Sequence, residues 1–511
     1  MDYWHIQMNQ PWGRGEQKID SIKMLKETPP IIGTGEWVDI QCSYFKGEEG
    51  GLKTGDIILV REGAKPLALC QIMNENFTND DLTEKYLHIN FREVKILAYA
   101  ENMTNFPQPQ KTLQILYEQN NTSSWNYIDN WYKKILNMEQ INYFIDLLKS
   151  NKNLIMTGAP GTGKTYLAKQ IAKEMDAETA FVQFHPSYDY TDFVEGLRPT
   201  PPDENGNIGF ELKNGVFKEF CKKAIKANYS GGTDNFDECW NKMIDAININ
   251  SSYFMQDLKG NNLSMPTTLT ARTNNPKFNT PVATYETVYR LYKGENTNLK
   301  YETYQKIVLR HLFENFGLQK YEAGMTISIE NRKKYVFIID EINRGEISKI
   351  FGELFFSIDP SYRGENGKVK TQYANMHTEE ENFYVPENVY IIGTMNNIDR
   401  SVESFDFAMR RRFTWVEITA EQSAENMNLP KESKRRMKLL NDAISEIEGL
   451  NSSYHIGGAY FLQENNFEKL WKMRLKPLLF EYLRGTPDAD KNLEKLEKAY
   501  NLQENFDENN G

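Results

Sequence analysis

Hydrophobic positions fall into distinct textures along the chain. Up to about residue 100, short apolar runs alternate with turn residues. "GDIILVREG" (Gly55–Gly63) is a β-rich run bounded by glycines, and "KPLALCQIM" (Lys65–Met73) follows it across a tight turn. Two such runs predict a hairpin. "HINFREVKILAYA" (His88–Ala100) has further strand character, so residues 1–100 are expected to form a small β-barrel-like domain. Residues 101–135 are polar, with Pro107, Pro109 and an Asn/Gln/Ser cluster. They read as a linker holding one short helix, Lys111–Gln119.

From residue 136 the pattern becomes α/β. Continuous apolar runs at Asn153–Gly158, from Ala180, at Lys334–Asp340 and at Val389–Asn396 are separated by helical stretches. Such runs predict a parallel sheet covered on both faces, in a core spanning 136–420. Residues 228–325 interrupt it. A loop of that length without structure of its own is anomalous, so they are taken as an inserted subdomain. Residues 421–511 are charged and helical, ending in an acidic, Asn-rich tail.

Composition narrows the class. A chain of 511 residues has room for roughly three domains. With 40% hydrophobic and 26% charged residues it is globular. No run of about 18 apolar residues predicts a membrane span, and the N-terminus lacks the basic and apolar pattern of a signal peptide. Cys42, Cys70, Cys221 and Cys239 form no CxxC, which suits reduced thiols in a cytoplasm. The six His show no zinc-ligand spacing. A net charge of −11 argues against a surface coated with Lys and Arg for non-specific duplex binding, but not against a local basic channel or a base pocket.

The candidate chemistry sits at the ends of the apolar strands. Gly158-Ala159-Pro160-Gly161-Thr162-Gly163-Lys164-Thr165 fits G-x-x-x-x-G-K-[ST]. Glycines there let backbone N–H groups turn toward phosphate oxygens at a helix N-terminus. Lys164 reaches the β- and γ-phosphates, and the Thr165 hydroxyl holds Mg²⁺. The run "YVFIIDEINRG" ends a strand in Asp340, placed to organise Mg²⁺, and Glu341, placed to polarise the attacking water. Asn396 leaves another strand where an amide can orient that water. In "FDFAMRRRF", Arg410, Arg411 and Arg412 fall where a ring ATPase projects an arginine into its neighbour's site.

Together these features resemble the AAA+ ring NTPases over about residues 136–485. More narrowly they resemble the McrB family, motor subunits of modification-dependent restriction systems. The strings are "FVQFHPSYDYTDFVEGLRP" (Phe181–Pro199), "IIDEINRGEISKIFGEL" (Ile338–Leu354), "MNNIDRS" (Met395–Ser401), and "IGGAYF" (Ile456–Phe461) with "KPLLFEYL" (Lys476–Leu483). Against the family's M-N-T-A-D-R-S, Asn397 and Ile398 depart. The resemblance implies an α/β AAA+ fold with a C-terminal helical lid and hydrolysis of GTP or ATP with Mg²⁺. It also implies a hexameric ring and a separate McrC-like subunit carrying the nuclease. No nuclease motif stands in this chain. The alternative is a protein-remodelling AAA+ ATPase of the MoxR or dynein-related kind.

The N-terminal region, around Gly55-Asp56 and the strand after it, resembles the EVE and PUA-like domains. That implies a reader of DNA carrying a modified base, with an extruded base stacked on aromatic faces. Trp4, Trp37 and Phe45 are the candidate rings, among the aromatics that also include Trp12 and Tyr44. Residues 1–100 carry 11 Lys+Arg against 15 Asp+Glu, a net −4, which suits a base pocket better than a backbone clamp.

Overall fold

The computed structural model describes residues 1–8, 21–35, 40–48, 50–107, 111–201, 206, 208–230, 234–250, 252–264, 266–270, 275–279, 281–295, 302–322, 325–328, 331–376, 382–398, 407–462 and 466–501. The chain divides into two units, residues 1–142 and 143–511.

In the first unit, strands β1 (Tyr3–Gln7), β2 (Ile31–Thr34), β3 (Ile57–Glu62), β4 (Lys65–Ile72), β5 (Asn90–Tyr99) and β6 (Leu113–Leu116) form one sheet in the order β2-β5-β4-β3-β1-β6. Only β1 and β3 run parallel. The predicted hairpin is β3–β4, turned at Gly63 with φ 56°. Successive side chains point to opposite faces of a strand, and here both faces are covered. Trp4, Ile58, Val60 and Cys70 enter one core. Tyr3, Ile57, Leu59 and Leu69 enter another with Phe106, Ile128 and Trp131. That double burial explains why Ile57–Val60 reads as an unbroken apolar run.

Two expectations are corrected here. The sheet is a mixed one with β2 and β6 at its ends; among the described residues no pairing closes it into a barrel. Residues 101–135 are not a linker either. Leu113–Leu116 is a strand on the free edge of β1, with Ile6 opposite Leu113 and Tyr3 opposite Leu116. Leu113 and Leu116, three apart, mimic a helical stripe. As strand residues they face opposite ways, each into a core waiting on its side. The helix Thr122–Asn151 follows, and Ile128 and Trp131 on it belong to the second core.

The second unit contains a five-stranded, wholly parallel sheet. Its strands are β7 (Asn153–Thr157), β8 (Glu178–Gln183), β11 (Tyr335–Asp340), β12 (Val389–Thr394) and β13 (Thr414–Glu417), in the order β13-β7-β12-β11-β8. Between β8 and β11 lies a hairpin of β9 (Glu195–Pro199) and β10 (Phe210–Asn214). The buried Lys218–Glu195 ion pair, 2.6 Å, ties that hairpin to the helix Val216–Lys226. Helices Phe236–Ile249, Tyr285–Tyr292 and Glu302–Asn315 pack a core of their own. Pairing of Tyr229–Ser230 with Met325–Thr326 closes the base of that insertion. After β13, the helices Ala420–Asn426, Lys431–Ser445, Lys476–Leu483 and Ala489–Tyr500 bury a further cluster around Leu440, Ile444, Leu479 and Tyr500. No helix among the described residues is long and apolar enough to cross a membrane. The acidic tail after Asn501 lies outside the described residues.

Candidate functional site

In a parallel sheet every strand ends on the same edge, and ligands collect where neighbouring connections diverge. β7 runs into the loop Gly158–Gly163 and the helix Lys164–Glu174. The loop turns through left-handed backbone at Gly161 (φ 77°) and Gly163 (φ 82°), conformations glycine adopts without a Cβ penalty. Lys164 is buried under it. Its Nζ donates to the carbonyls of Gly158 (3.0 Å) and Ala159 (2.9 Å) and to Thr162 Oγ1 (3.2 Å). Burial pushes its ammonium down to about 8, against an opposing pull from Glu341 and Asp340.

The other predicted groups converge on this loop. The Thr165 hydroxyl donates to Asp340 Oδ1 at 2.6 Å, and Thr394, closing β12, donates to the same oxygen at 2.5 Å. Asn396 Nδ2 donates to Glu341 Oε1 at 2.8 Å, while Arg344 Nε lies 3.4 Å from Glu341 Oε2. Glu341 itself is left-handed, φ 52° and ψ 44°. A non-glycine residue there costs of order 1–3 kcal/mol, the kind of strain that clusters at working sites. Among the described residues no group of three or more His, Cys, Asp or Glu could hold a metal alone. A hydroxyl beside a carboxylate is a hard oxygen pair that suits Mg²⁺, whose remaining positions water and phosphate oxygens ordinarily fill.

The three arginines separate. Arg411 is exposed, with Nη2 only 3.5 Å from Asp359 Oδ2. Arg410 is also exposed and lies 5.4 Å from the Trp415 ring centroid. Arg412 is corrected: its guanidinium lies 4.3 Å over the Phe355 ring, Nη1 donates to Ala408 O (3.0 Å), and the residue is buried. It packs within its own protomer, with Nε also 4.0 Å from Asp359 Oδ2. Asp399, Arg400 and Ser401 lie outside the described residues. Arg198 pairs with Asp192 at 2.5 Å. Tyr188 stacks on Phe184 and the Tyr190 hydroxyl accepts from Gln372 N, so these two aromatics are packing.

Two of the proposed base-reading rings are likewise core. Trp4 is fully buried with Nε1 donating to Asp56 Oδ2 at 3.0 Å. Phe45 is fully buried beneath the Arg92 guanidinium. A small domain must fill its interior, and these rings do so. Trp12 and Trp37 lie outside the described residues.

Sequence reasoning missed several supports. Asn153, the first residue of "NLIMT", is buried; its Nδ2 donates to Ile358 O (2.7 Å) and Arg412 O (2.8 Å), and its Oδ1 accepts from Arg363. That amide joins the start of β7 to the helix carrying the arginines. The lid turn Ile456–Phe461 also touches the phosphate loop. Gly457 N–H donates to Pro160 O (3.0 Å) and Ala459 N–H to Gly161 O (2.9 Å).

Comparison with known proteins agrees with this geometry. The AAA domain (dynein-related subfamily) matches residues 153–257 and 268–413, and the McrB alpha-helical lid domain matches residues 432–491. The chain is 29% identical over 373 residues to the type IV methyl-directed restriction enzyme EcoKMcrB subunit of Escherichia coli (strain K12), covering 68% of this chain and 57% of that protein. It is 22% identical over 356 residues to the type II restriction enzyme BsuMI component YdiS of Bacillus subtilis (strain 168), covering 65% of this chain and 78% of that one. The chain thus spans little more than half the length of the first relative.

Proposed function

We propose that the chain, whose residues match a AAA domain and an McrB alpha-helical lid domain, is the nucleoside-triphosphatase motor of a restriction complex. It hydrolyses GTP or ATP with Mg²⁺ and works as a hexameric ring beside an McrC-like nuclease subunit. It moves along DNA whose modified base its N-terminal unit selects. One observation carries the reading. Three strand ends supply the residues: Thr165 bonds to Asp340 and Asn396 to Glu341, while Lys164, next to Thr165, donates to the Gly158 and Ala159 carbonyls of the loop.

The division of labour follows from the chemistry. Triphosphate oxygens displace the Gly158 and Ala159 carbonyls as partners of Lys164. Thr165 and Asp340 hold Mg²⁺, which supplies charge neutralisation on the phosphates when bound. Glu341 accepts the proton of the attacking water, and Asn396 fixes the orientation of that carboxylate. Arg411 enters the neighbouring site, where such an arginine is worth about 10³–10⁵ in rate. A purified ring, tested with and without its companion subunit, is expected to consume purine triphosphate. No uptake and no hydrolysis of either GTP or ATP would refute the motor.

Trp37 carries the base-reading part of the proposal, since Trp4 and Phe45 are core. Trp37→Ala is expected to weaken binding to a modified oligonucleotide more than to its plain counterpart. Equal losses would remove the base cage, and indifference of the parent protein to DNA would favour a protein-remodelling motor.

A further inference from the structure

We propose that Thr394 is a positioning residue for the metal-binding carboxylate, an inference that rests on the motor reading above. β11 and β12 run parallel, with Ile339 opposite Gly393, so the next pair along is Asp340 and Thr394. Thr394 is buried, and its hydroxyl is spent on Asp340 Oδ1 at 2.5 Å. The Thr165 hydroxyl donates to the same oxygen at 2.6 Å. Two donors from two different elements therefore converge on Oδ1, and among the described residues no protein donor is bonded to Oδ2.

That asymmetry has a chemical consequence. A carboxylate is free to rotate about its Cβ–Cγ bond unless its oxygens are distinguished. Two hydroxyls on one oxygen fix that torsion and reserve the other oxygen for the water shell of a divalent cation. Thr165 can donate its proton to Asp340 and still offer an oxygen lone pair to the ion. Thr394 has no such double duty: it ends the adjacent strand, and its hydroxyl's bond serves to orient Asp340. A valine in its place keeps the shape and drops the donor, whereas a serine keeps the donor. Losing an outer partner of a metal ligand typically lowers metal affinity by 10–100-fold.

The test uses the full-length protein and its Thr394→Val and Thr394→Ser variants, with Mn²⁺ as the probe ion. Mn²⁺ binding is followed by electron paramagnetic resonance with a non-hydrolysable triphosphate present. Nucleotide binding without metal is followed separately in EDTA. Thr394→Val is expected to weaken Mn²⁺ binding by about 10-fold and to raise the Mg²⁺ needed for half-maximal hydrolysis in step. Metal-free nucleotide binding should be unchanged, and Thr394→Ser should restore the parent values. Unchanged Mn²⁺ affinity in Thr394→Val overturns the proposal, whether or not turnover falls. So does a Ser variant as weak as Val, because packing alone would then explain the loss. If the parent protein binds no triphosphate at all, the motor reading fails first, and that outcome is separable from the others.

Discussion

Asn396 donates its amide to the carboxylate of Glu341 at 2.8 Å, although the two residues end different strands of the sheet. The bond holds a carboxylate whose own backbone is left-handed, at φ 52°. A strained residue persists only where its surroundings over-determine it, and Asn396 is part of that determination. Glu341→Gln should keep nucleotide bound while hydrolysis falls by about 10²–10⁴, the usual worth of a general base. Asn396→Ala should lower turnover with little change in nucleotide affinity. Single-turnover hydrolysis beside equilibrium binding of a fluorescent nucleotide separates the two quantities. Steady-state turnover retained in Glu341→Gln would remove Glu341 from the role.

Lys164 makes the site sensitive to pH. Burial lowers its ammonium to about 8 in the ligand-free protein. Below that pH it is already charged and triphosphate binding needs no proton. Above it the amine is neutral, so binding must draw a proton from buffer, and affinity falls as pH rises. Stability moves the other way. Between about 8 and the ordinary lysine value near 10.4 the unfolded chain holds a proton the fold lacks, so raising pH stabilises the ligand-free protein. Calorimetry at pH 9 in buffers of different ionisation enthalpy should show proton uptake, absent in Lys164→Met. Equal apparent enthalpies in both buffers would place the Lys164 pKa elsewhere.

The sheet and the phosphate loop were legible in the sequence because their signals are local. Apolar runs ending in Asp340-Glu341 or in G-x-x-x-x-G-K-[ST] need no partner to be read. What the sequence hid depends on distant pairing. Thr414–Glu417 is a strand only because β7 offers it an edge. Leu113–Leu116 looks helical until β1 exposes its free side. Trp4 and Phe45 are chemically equal to cage aromatics, and only their burial assigns them to a core. Arg411 and Arg412 are neighbours in sequence and both approach Asp359, yet burial over the Phe355 ring sets Arg412 apart.

That separation is measurable. Arg411 is solvent-exposed and loosely paired, so Arg411→Ala should leave folding and nucleotide binding intact while ring hydrolysis falls by about 10³ or more. Mixing Arg411→Ala with Glu341→Gln should restore partial activity, because a mixed ring can place an intact Glu341 against an intact Arg411. Arg412→Ala removes a buried cation stacked on Phe355 and should lower the melting temperature instead. Failure of the mixture to recover any hydrolysis would indicate that Arg411 acts within its own protomer.

Gly457 offers the sharpest test of the contact between lid and phosphate loop. Its φ of −80° suits any residue, so alanine meets no conformational obstacle of its own. The obstacle is space. A Cβ there would lie 2.3 Å from the Gly161 carbonyl carbon and 2.4 Å from Thr162 N, and both are backbone atoms with no rotamer to yield. Either the loop or the lid turn must retreat, and the bonds from Gly457 N–H to Pro160 O and from Ala459 N–H to Gly161 O must lengthen or break. The lid's own core around Leu440 and Leu479 is untouched. Gly457→Ala should therefore weaken triphosphate binding by about 10-fold or more, about 1.4 kcal/mol, with a small change in melting temperature. Gly35→Ala, where nothing lies within 4 Å of the added carbon, is the matched control and should bind as the parent does. Parent-like affinity in Gly457→Ala would mean that the loop takes up phosphate without the lid turn against it.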